Sequence, residues 1–363
     1  MPKHIHEIRD PIHVFIRLNT DERKVVDSRP VQRLRHIHQL ATTFLVYPGA
    51  THRRFEHSLG VMELAARVFD VVTHPYNIHN DVRQTLPEIT DQAQLPYWRN
   101  CLKMAALCHD IGHLPFSHAA EKELLPEGWD HERLTRALLE TDEMQELFNK
   151  KMTPPLRPDH VIKLAIGPKK VKDLSFSTWE TILAEIIVGD AFGVDRMDYL
   201  LRDSYHAGVV YGHIDHHRLI DTLRILPSPP VSERAPKASQ TQPADEQAEP
   251  VPASAISREP ALGIEEGGLH SAEGLMLARF FMYSQIYFHP VRRAYNIHLK
   301  DFLTDWLKHE HSSEGGRFST DAEKHLKMTD NEVTAALLHA SRTPDAPGHD
   351  AARRLTGRDH FRI

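Results

Sequence analysis

The sequence has few cysteines, no long apolar run and no excess of positive charge, and each absence excludes a class of protein. No stretch reaches the roughly 18 apolar residues of a membrane-spanning helix, and the start MPKHIHEIRDPIH lacks the apolar core of a signal peptide. Two cysteines, Cys101 and Cys108, share a predicted helix, which suits buried thiols better than a disulfide framework. We therefore expect a cytoplasmic protein without a membrane-spanning segment.

The charge balance excludes a general attraction to nucleic acid. With 44 basic and 50 acidic residues the net charge is -6, so any phosphate binding must be local and a nucleic-acid partner is not expected. The 27 histidines are abundant instead, and many fall inside patterned segments. Because imidazole binds metals and exchanges protons near neutrality, some of these histidines are candidates for chemistry.

Apolar residues at helical spacing dominate the chain and predict a mainly α fold. HRRFEHSLGVMELAARVFDVVTHP and YWRNCLKMAALCHDIG each predict a helix, and further helices are predicted at residues 30–43 and 271–307. Residues 1–30 predict a strand pair or an irregular lead-in.

One segment, residues 227–261, is rich in Pro, Ala, Ser, Gln and Glu and predicts a disordered insert. DTLRIL and ALGIEEGGL on either side of it predict a small β-hairpin that carries the insert at its tip. We therefore expect a lead-in at 1–30, a core at 31–226, this insert, a helical completion of the core at 262–312 and a short C-terminal helical tail at 313–363.

Four residues in three motifs are candidate metal ligands: His57 in HRRFEHSLG, His109 and Asp110 in LCHDIGHLPFSH, and Asp195 in GVDRMDYLLRD. Imidazole nitrogens with carboxylate oxygens suit zinc, iron, manganese or nickel. A structural zinc site is the non-enzymatic alternative. Such sites usually include cysteine, and neither cysteine here has the required spacing.

Other polar residues flank these candidates. Arg54 lies three residues before His57 on one helical face, where a cation can hold a phosphate beside a metal-bound histidine; a solvated basic turn is the alternative. His113 and His118 are candidate proton donors or phosphate contacts, and His118 is equally suited to orienting a ligand. His131, at the start of a predicted helix, taken alone is structural.

The motif VDRMDYLLRD spaces five polar residues so that they share roughly one helical face: Asp195, Asp198, Tyr199, Arg202 and Asp203. A salt-bridged surface would have the same pattern. The flanking apolar residues instead predict a mostly buried helix, on which charges must be paired or bind metal.

Together these motifs resemble the HD-domain metal phosphohydrolases, and among them the deoxynucleoside triphosphate triphosphohydrolases. The resemblance runs from DPIH at Asp10 through HRRFEHSLG, CHDIGHLPFSH, DHE and VDRMDYLLRD to RRAYNIHL near Tyr295, and covers most of the chain except the insert. It implies an HD-domain helical fold with the catalytic core at 31–226. The implied reaction is attack of metal-activated water on the α-phosphorus of a dNTP, which yields deoxynucleoside and inorganic triphosphate.

The resemblance also implies a role for each matching residue. A divalent iron, manganese, zinc, nickel or cobalt ion would be bound by His57, His109, Asp110 and Asp195, with Mg²⁺ on the substrate phosphates. Around the scissile bond would lie Arg54, His113, His118, the general acid His131 and its carboxylate partner Glu121, where the family often has aspartate. Substrate would further contact Gln39, Leu40, Arg196, Tyr199, Asp203 and Tyr295.

Two departures and several alternatives accompany this interpretation. Relatives often carry an arginine and a histidine just before RRAY, where this chain has Tyr287, His289 and Val291. A regulatory nucleotide binds some relatives at positions matching Asp27, Gln32 and Arg35; a salt-bridged surface turn is the alternative. Expected partners are a dNTP, an activating nucleotide and further copies in a dimer or tetramer. The alternative functions are hydrolysis of another nucleotide or nucleic-acid phosphoester, and nucleotide sensing without turnover.

Overall fold

The computed structural model describes residues 5–116, 121–227 and 259–360. Within these ranges helices dominate and the strands form two antiparallel pairs, so the predicted mainly α fold is confirmed. None of the helices in these ranges is long and apolar enough to cross a membrane.

The chain opens with strands β1 (Ile5–Asp10) and β2 (Val14–Asn19), and a second strand pair, β3 (Leu223–Leu226) and β4 (Ala261–Ile264), lies later. The α-helices up to residue 146 are α1 (Thr20–Val26), α2 (Arg29–Arg33), α3 (Arg54–Val72), α4 (Asn80–Thr85), α5 (Leu95–Cys108), α6 (Glu121–Leu124), α7 (His131–Leu139) and α8 (Asp142–Glu146). Those that follow are α9 (Pro158–Ile166), α10 (Thr178–Val188), α11 (Val194–Ala207), α12 (His216–Asp221), α13 (Leu269–Met282), α14 (Pro290–Glu310), α15 (Ala322–Leu326), α16 (Asp330–Arg342) and α17 (His349–Thr356).

The centre of the main core is the packing of α3 against α5, with α9, α10 and α11 around them. At the start of helix α3, the Glu56 carboxylate accepts a hydrogen bond from the Arg53 amide at 2.8 Å. Both α3 and α5 are buried on several faces, and α5 carries Cys101 and Cys108 as buried free thiols. The ends of these two helices position the candidate site.

Strands β1 and β2 form a hairpin with Ile5 opposite Asn19 and Asp10 opposite Val14. Of the two alternatives predicted for residues 1–30, the strand pair is therefore the one observed. The side chain of Asn19 then caps α1 by accepting the amide N–H groups of Asp21 and Glu22, each at 2.9 Å. This hairpin lies ahead of the helices and packs on α1 and α3.

The prediction of a helix at residues 30–43 is wrong after Arg33. Helix α2 ends at Arg33, a 3₁₀ turn covers Leu34–His36, and the chain then runs extended beside the start of α3. The Gln39 amide donates to the His52 carbonyl at 3.0 Å, and the His38 amide donates to Asp330 at 2.7 Å. These distant acceptors replace the hydrogen bonds of a continued helix.

The predicted hairpin around the insert is confirmed, with Leu223 opposite Ile264 and Leu226 opposite Ala261. Most of the predicted insert, residues 228–258, lies outside the described residues. Its predicted last residue, Ala261, is already paired in β4. The boundary is therefore earlier than the composition indicates.

The stretch predicted as one helix at residues 271–307 consists of α13 and α14, joined by a π-helical turn at Tyr283–Tyr287. Pro290 opens α14, because it has no N–H to continue the preceding helix but suits a first turn. Helix α14 packs with α16 and α17 around a second hydrophobic cluster that includes Tyr295, Leu299 and Phe302.

Candidate metal centre and adjoining cavity

Three helix ends bring the four predicted metal ligands together. His57 lies in the first turn of α3, His109 and Asp110 directly follow α5, and Asp195 lies in the first turn of α11. One ligand atom from each of His57, His109 and Asp110 lies within 4.8 Å of the others. The Asp195 Oδ1 atom is 3.1 Å from His57 Nε2 and 3.5 Å from His109 Nε2.

Both imidazoles are oriented so that Nε2 faces this centre. The His109 Nδ1 atom lies 2.8 Å from the Ala106 carbonyl oxygen, and since a carbonyl only accepts, Nδ1 carries the proton and Nε2 keeps its lone pair. On the opposite side of the centre, His57 Nδ1 lies 2.8 Å from Asp198 Oδ2. Hydrogen bonds of this kind at the second ring nitrogen are typical of metal-binding histidines.

The donor set fits a divalent cation. The buried Nε2 of His109 makes no hydrogen bond to the described residues, although Asp110 Oδ1 lies only 3.3 Å away. Two neutral imidazole nitrogens and two carboxylates form a ligand set that zinc, iron, manganese and related ions accept. A cation here would give the unpartnered nitrogen its partner.

The electrostatics favour positive charge at the same point. Burial alone would lower the pKa of His57, but hydrogen bonds to Asp195 and Asp198 raise it to about 10. Burial alone would raise the pKa of Asp110, yet His109, His113 and Arg54 hold it well below its usual range. The carboxylates therefore stay ionised and stabilise a positive charge, whether that charge is a proton or a metal ion.

Arg54 joins this centre through Asp110. Its Nη1 atom donates a short hydrogen bond to Asp110 Oδ2, and both side chains are buried. The Arg54 amide is fixed to the Ile37 carbonyl at 3.0 Å, which anchors the start of α3. The guanidinium thus lies beside the candidate metal ligands, where a bound phosphate would need a cation.

A row of side chains leads from Asp110 to Glu121. His113 Nε2 lies 3.2 Å from Asp110 Oδ1, and the His113 ring stacks on the His131 ring with 4.1 Å between centroids. His131 contacts Glu121 Oε1 through its amide at 2.7 Å and through Nδ1 at 2.8 Å. The glutamate thus makes the contact expected of the family's aspartate, while His118 lies outside the described residues.

The pKa values of the two stacked histidines move in opposite directions. Burial, with the nearby charge of Arg54, lowers the pKa of His113 well below its usual value. Burial alone would also lower the pKa of His131, but the hydrogen bond to Glu121 raises it. His131 is therefore the better proton donor of the pair.

The trio of His113, Glu121 and His131 also has one ligand atom each within 4.8 Å. The ring planes of the two histidines are only 12° from parallel, so their in-plane lone pairs lie side by side instead of converging on one point. This arrangement suits proton transfer better than metal binding.

A cavity of about 550 Å³ adjoins the centre. One wall contains His131 and three residues of the centre, His109, Asp110 and Asp195. The other comes from the end of α9 and the residues after it (165–170), the end of α10 and the residues after it (188–192), and Ala261 and Leu262 of β4. None of the residues in that second wall was singled out from the sequence. They belong to no recognisable motif, and only the packing of α9 and α10 brings them to the site.

Lys170 lines the cavity and pairs with both chain neighbours of His131. Its Nζ atom lies 2.9 Å from a carboxylate oxygen of both Asp130 and Glu132. Lys169 and Asp190, which also line the cavity, form an exposed ion pair. Both lysines are thus paired with carboxylates that a bound phosphate would have to displace.

Gln39 and Asp203, two of the predicted substrate contacts, belong to a separate group outside the set of described residues that lines this cavity. The Gln39 amide binds the His52 carbonyl, and His52 Nε2 lies 2.7 Å from Asp203 Oδ1. The other oxygen of Asp203 accepts a hydrogen bond from the Tyr287 hydroxyl at 2.7 Å. Both oxygens of Asp203 are therefore engaged by neighbouring side chains.

The remaining predicted substrate contacts are spread around these groups. Arg196 Nη1 lies 3.5 Å from the Gly189 carbonyl, beside the cavity wall. The Tyr199 ring meets the Tyr287 ring edge to face at 6.1 Å. Leu40 is buried, and Tyr295 is fully buried in the second hydrophobic cluster next to Ala41.

Two of the three predicted regulatory residues contact each other. Arg35 Nε donates to Gln32 Oε1 at 2.8 Å, and its guanidinium covers the Phe55 ring at 3.5 Å. Asp27 instead pairs with Arg23 at 3.3 Å. Asp27 and Arg35 are exposed at the surface.

Comparisons with known proteins agree with this geometry. The family model of the HD domain matches residues 54–165, and the family model of the HD associated region matches residues 254–362. A crystal structure of a hypothetical protein from Aquifex aeolicus has a TM-score of 0.71 and 30% identity, covering 99% of this chain and 77% of that one.

Sequence relatives come from bacteria and animals. The uncharacterized protein YwfO of Bacillus subtilis is 31% identical over 81% of this chain and 54% of its own length. The deoxynucleoside triphosphate triphosphohydrolase SAMHD1 of Homo sapiens is 30% identical over 60% of this chain and 36% of its own length. This chain thus spans about half the length of YwfO and about a third of SAMHD1. On the two matched regions, the shared fold and the converging histidines and aspartates, the chain belongs to the HD-domain family.

Proposed function

We propose that this protein is a metal-dependent phosphohydrolase that converts dNTPs to deoxynucleoside and inorganic triphosphate. The observation that carries the proposal is the convergence of His57, His109, Asp110 and Asp195 next to the pair of His131 and Glu121. The SAMHD1 relatives are deoxynucleoside triphosphate triphosphohydrolases, which supports a dNTP as substrate.

The four ligand residues would hold a divalent transition metal, with Mg²⁺ accompanying the substrate phosphates. When bound, such a metal makes water acidic enough to attack a phosphate ester and neutralises charge on the phosphate oxygens. Arg54 would add a second positive charge beside the α-phosphate, because its guanidinium is already fixed next to Asp110.

His131 would protonate the departing 5′ oxygen. Glu121 accepts a hydrogen bond from His131 Nδ1, so the proton on Nδ1 is held in place and Nε2 is the atom that gives a proton away. The raised pKa of His131, set by Glu121 against the effect of burial, keeps a usable fraction of the imidazole protonated near neutral pH.

The triphosphate needs further cations. Relatives often carry an arginine and a histidine just before RRAY, whereas the nearby residues here include Tyr287, whose hydroxyl donates to Asp203. We propose that Arg196, together with Lys170 at the cavity wall, supplies positive charge instead. Lys170 would then exchange Glu132 for a phosphate oxygen.

The test is a product analysis by anion-exchange chromatography after incubation with each dNTP and with GTP, in separate Mg²⁺, Mn²⁺ and Co²⁺ buffers. We expect deoxynucleoside and intact triphosphate, with no turnover by Asp110→Ala. Release of pyrophosphate and a nucleoside monophosphate, or no turnover of any dNTP, would contradict the proposed reaction.

A second candidate is hydrolysis of another phosphoester. It is favoured by the two hydrogen bonds that engage Asp203, a carboxylate predicted to contact the dNTP. A substrate without a matching hydroxyl would leave these bonds intact. The same chromatography, run with nucleoside monophosphates and short oligonucleotides, distinguishes this candidate; nucleotide binding without any product would indicate a sensor.

We also propose a cytoplasmic homo-oligomer that responds to an activating nucleotide. Exposed apolar side chains on α13, among them Met276, Leu277 and Phe280, support self-association. Light scattering with and without added nucleotide tests both parts of this proposal, and a monomer under all conditions would contradict it.

A further inference from the structure

We propose that the N-terminal hairpin sets the metal affinity of the site, because His13, placed at the hairpin turn by Asp10, holds Asp198, and Asp198 orients the proposed metal ligand His57. These three are positioning residues that act through His57. The inference rests on the proposed metal centre.

Asp198 is the link between the hairpin and the ligand. His13 Nε2 lies 2.7 Å from Asp198 Oδ1, while His57 Nδ1 lies 2.8 Å from Asp198 Oδ2. The Arg202 guanidinium holds both oxygens, Oδ2 through Nε at 2.8 Å and Oδ1 through Nη2 at 3.0 Å. Each oxygen of this carboxylate thus receives two hydrogen bonds, which fixes its plane and so the plane of the His57 ring.

The network is sealed from solvent. The side chains of His13, Asp198 and Arg202 have 0% exposure, and that of Asp10 has 3%. Burial alone would raise the pKa of Asp198, but Arg202 and the hydrogen bonds from His13 and His57 hold it well below its usual range. Removal of one partner therefore leaves a buried charge incompletely satisfied, and the remaining groups must shift.

Asp10 places His13. Its Oδ1 atom accepts the amide N–H groups of Ile12 at 2.9 Å and His13 at 2.8 Å, which folds the hairpin turn. Its Oδ2 atom accepts a hydrogen bond from Arg202 Nη1 at 2.8 Å. The same carboxylate therefore shapes the turn and docks it onto α11.

The residue after the turn supports this specific shape. Val14 has a φ of 67°, a left-handed conformation that a β-branched residue rarely adopts. Such strain persists where surrounding contacts determine the backbone. The contacts of Asp10 and His13 with α11 are the contacts that determine it here.

Helix α3 leaves room for the network at Gly60, one turn after His57. A Cβ atom at this position would clash with Asp198 Oδ1 and with Arg202 Nη2. A methyl group at Gly60 would therefore displace Asp198 without touching a metal ligand. Gly274 on α13 offers a matched control, since a Cβ atom there would have no heavy atom within 4 Å.

The experiment measures Mn²⁺ binding to the full chain by titration against a competing chelator, with metal content checked by mass spectrometry. His13→Leu and Gly60→Ala should each weaken Mn²⁺ binding about 10- to 100-fold, the range found when residues behind a metal ligand are removed. His13→Gln should recover most of the affinity, because its amide can donate to Asp198.

Two controls separate positioning from general damage. Glu22→Gln removes a buried carboxylate that is paired with Lys103, and Gly274→Ala adds a methyl group to a helix in open space. The metal-free melting temperatures of all variants show how far each is destabilised. A purely structural role would lower the melting temperature of His13→Leu but leave its Mn²⁺ affinity equal to that of Glu22→Gln.

The possible outcomes are distinct. Suppose that the wild-type protein binds Mn²⁺ and that the affinities of His13→Leu and Gly60→Ala are within twofold of its affinity. That result would overturn this inference alone. Wild-type protein that binds no Mn²⁺ would overturn both the inference and the proposed metal centre. If Gly60→Ala fails to fold, the comparison of His13→Leu with His13→Gln still decides.

Discussion

His113 and His131 stack with their ring centroids 4.1 Å apart, yet their pKa values are shifted in opposite directions. His113 faces Asp110 and Arg54, whereas His131 faces Glu121. His131 therefore takes up a proton more readily than His113, and this difference disfavours two adjacent positive rings. This division of charge underlies the first two predictions.

Replacement of His131 by Gln should slow turnover about 10²-fold or more, because the His131 imidazole is proposed to donate a proton to the leaving group. Metal binding should be retained, because His131 is not a proposed metal ligand. The measurement is kcat together with metal content. His160→Gln is the control, since His160 stacks on Trp98 at 4.7 Å in another part of the core. Loss of the metal in His131→Gln would argue against the proposed role.

Replacement of Glu121 by Gln should shift the basic limb of the kcat profile to lower pH. Glu121 raises the pKa of His131, so its removal lowers that pKa and the acid form is lost earlier as pH rises. The acidic limb should move less. A basic limb that stays in place would show that another group, not His131, supplies the proton.

Substitution of Asp110 or Asp195 by Ala should remove metal and activity together, since each supplies an oxygen next to the two imidazoles. Metal content and product formation are measured on the same samples. Asp190→Ala is the control, because Asp190 lines the same cavity but its carboxylate pairs with Lys169. Activity retained by either ligand variant would remove that residue from the ligand set.

Deletion of residues 232–258 should change the melting temperature by no more than ~2 °C, which is the order of shift that a loss of about 1 kcal/mol produces in a domain of this size. It should also leave the basal rate nearly unchanged. Leu226 and Ala261 are register partners in β3 and β4, and the residues that remain between them are enough to close a hairpin. Differential scanning calorimetry and the product assay test this. A large fall in melting temperature would contradict the prediction of a dispensable insert.

The sequence predicted those parts of the fold that depend on local pattern. Apolar residues at helical spacing predict helices α3 and α5. Two strand-like runs on either side of a polar segment predict the hairpin of β3 and β4. The proximity of His57, His109, Asp110 and Asp195 was anticipated because each belongs to a recognisable motif. Spacing alone would not have brought the three motifs together.

Other parts depend on contacts between distant residues and could not be predicted. The extended chain at His38 exists because Asp330, 292 residues later, accepts its amide. Asp198 was recognised as part of a polar helical face, but its hydrogen bond to His13 joins residues 185 apart. The cavity wall at residues 165–170 carries no motif, so its place beside the site follows only from how α9 packs.

The separation of the ligands along the chain has a consequence for biosynthesis. Asp195 follows His57 by 138 residues, so a ribosome must add all of α4 to α10 before the last ligand emerges. A nascent chain can hold the earlier imidazoles but not a full coordination set. With the proposed ligand set, metal uptake would occur late and would report that α11 has docked. Stalled or misfolded chains would then remain without the ion.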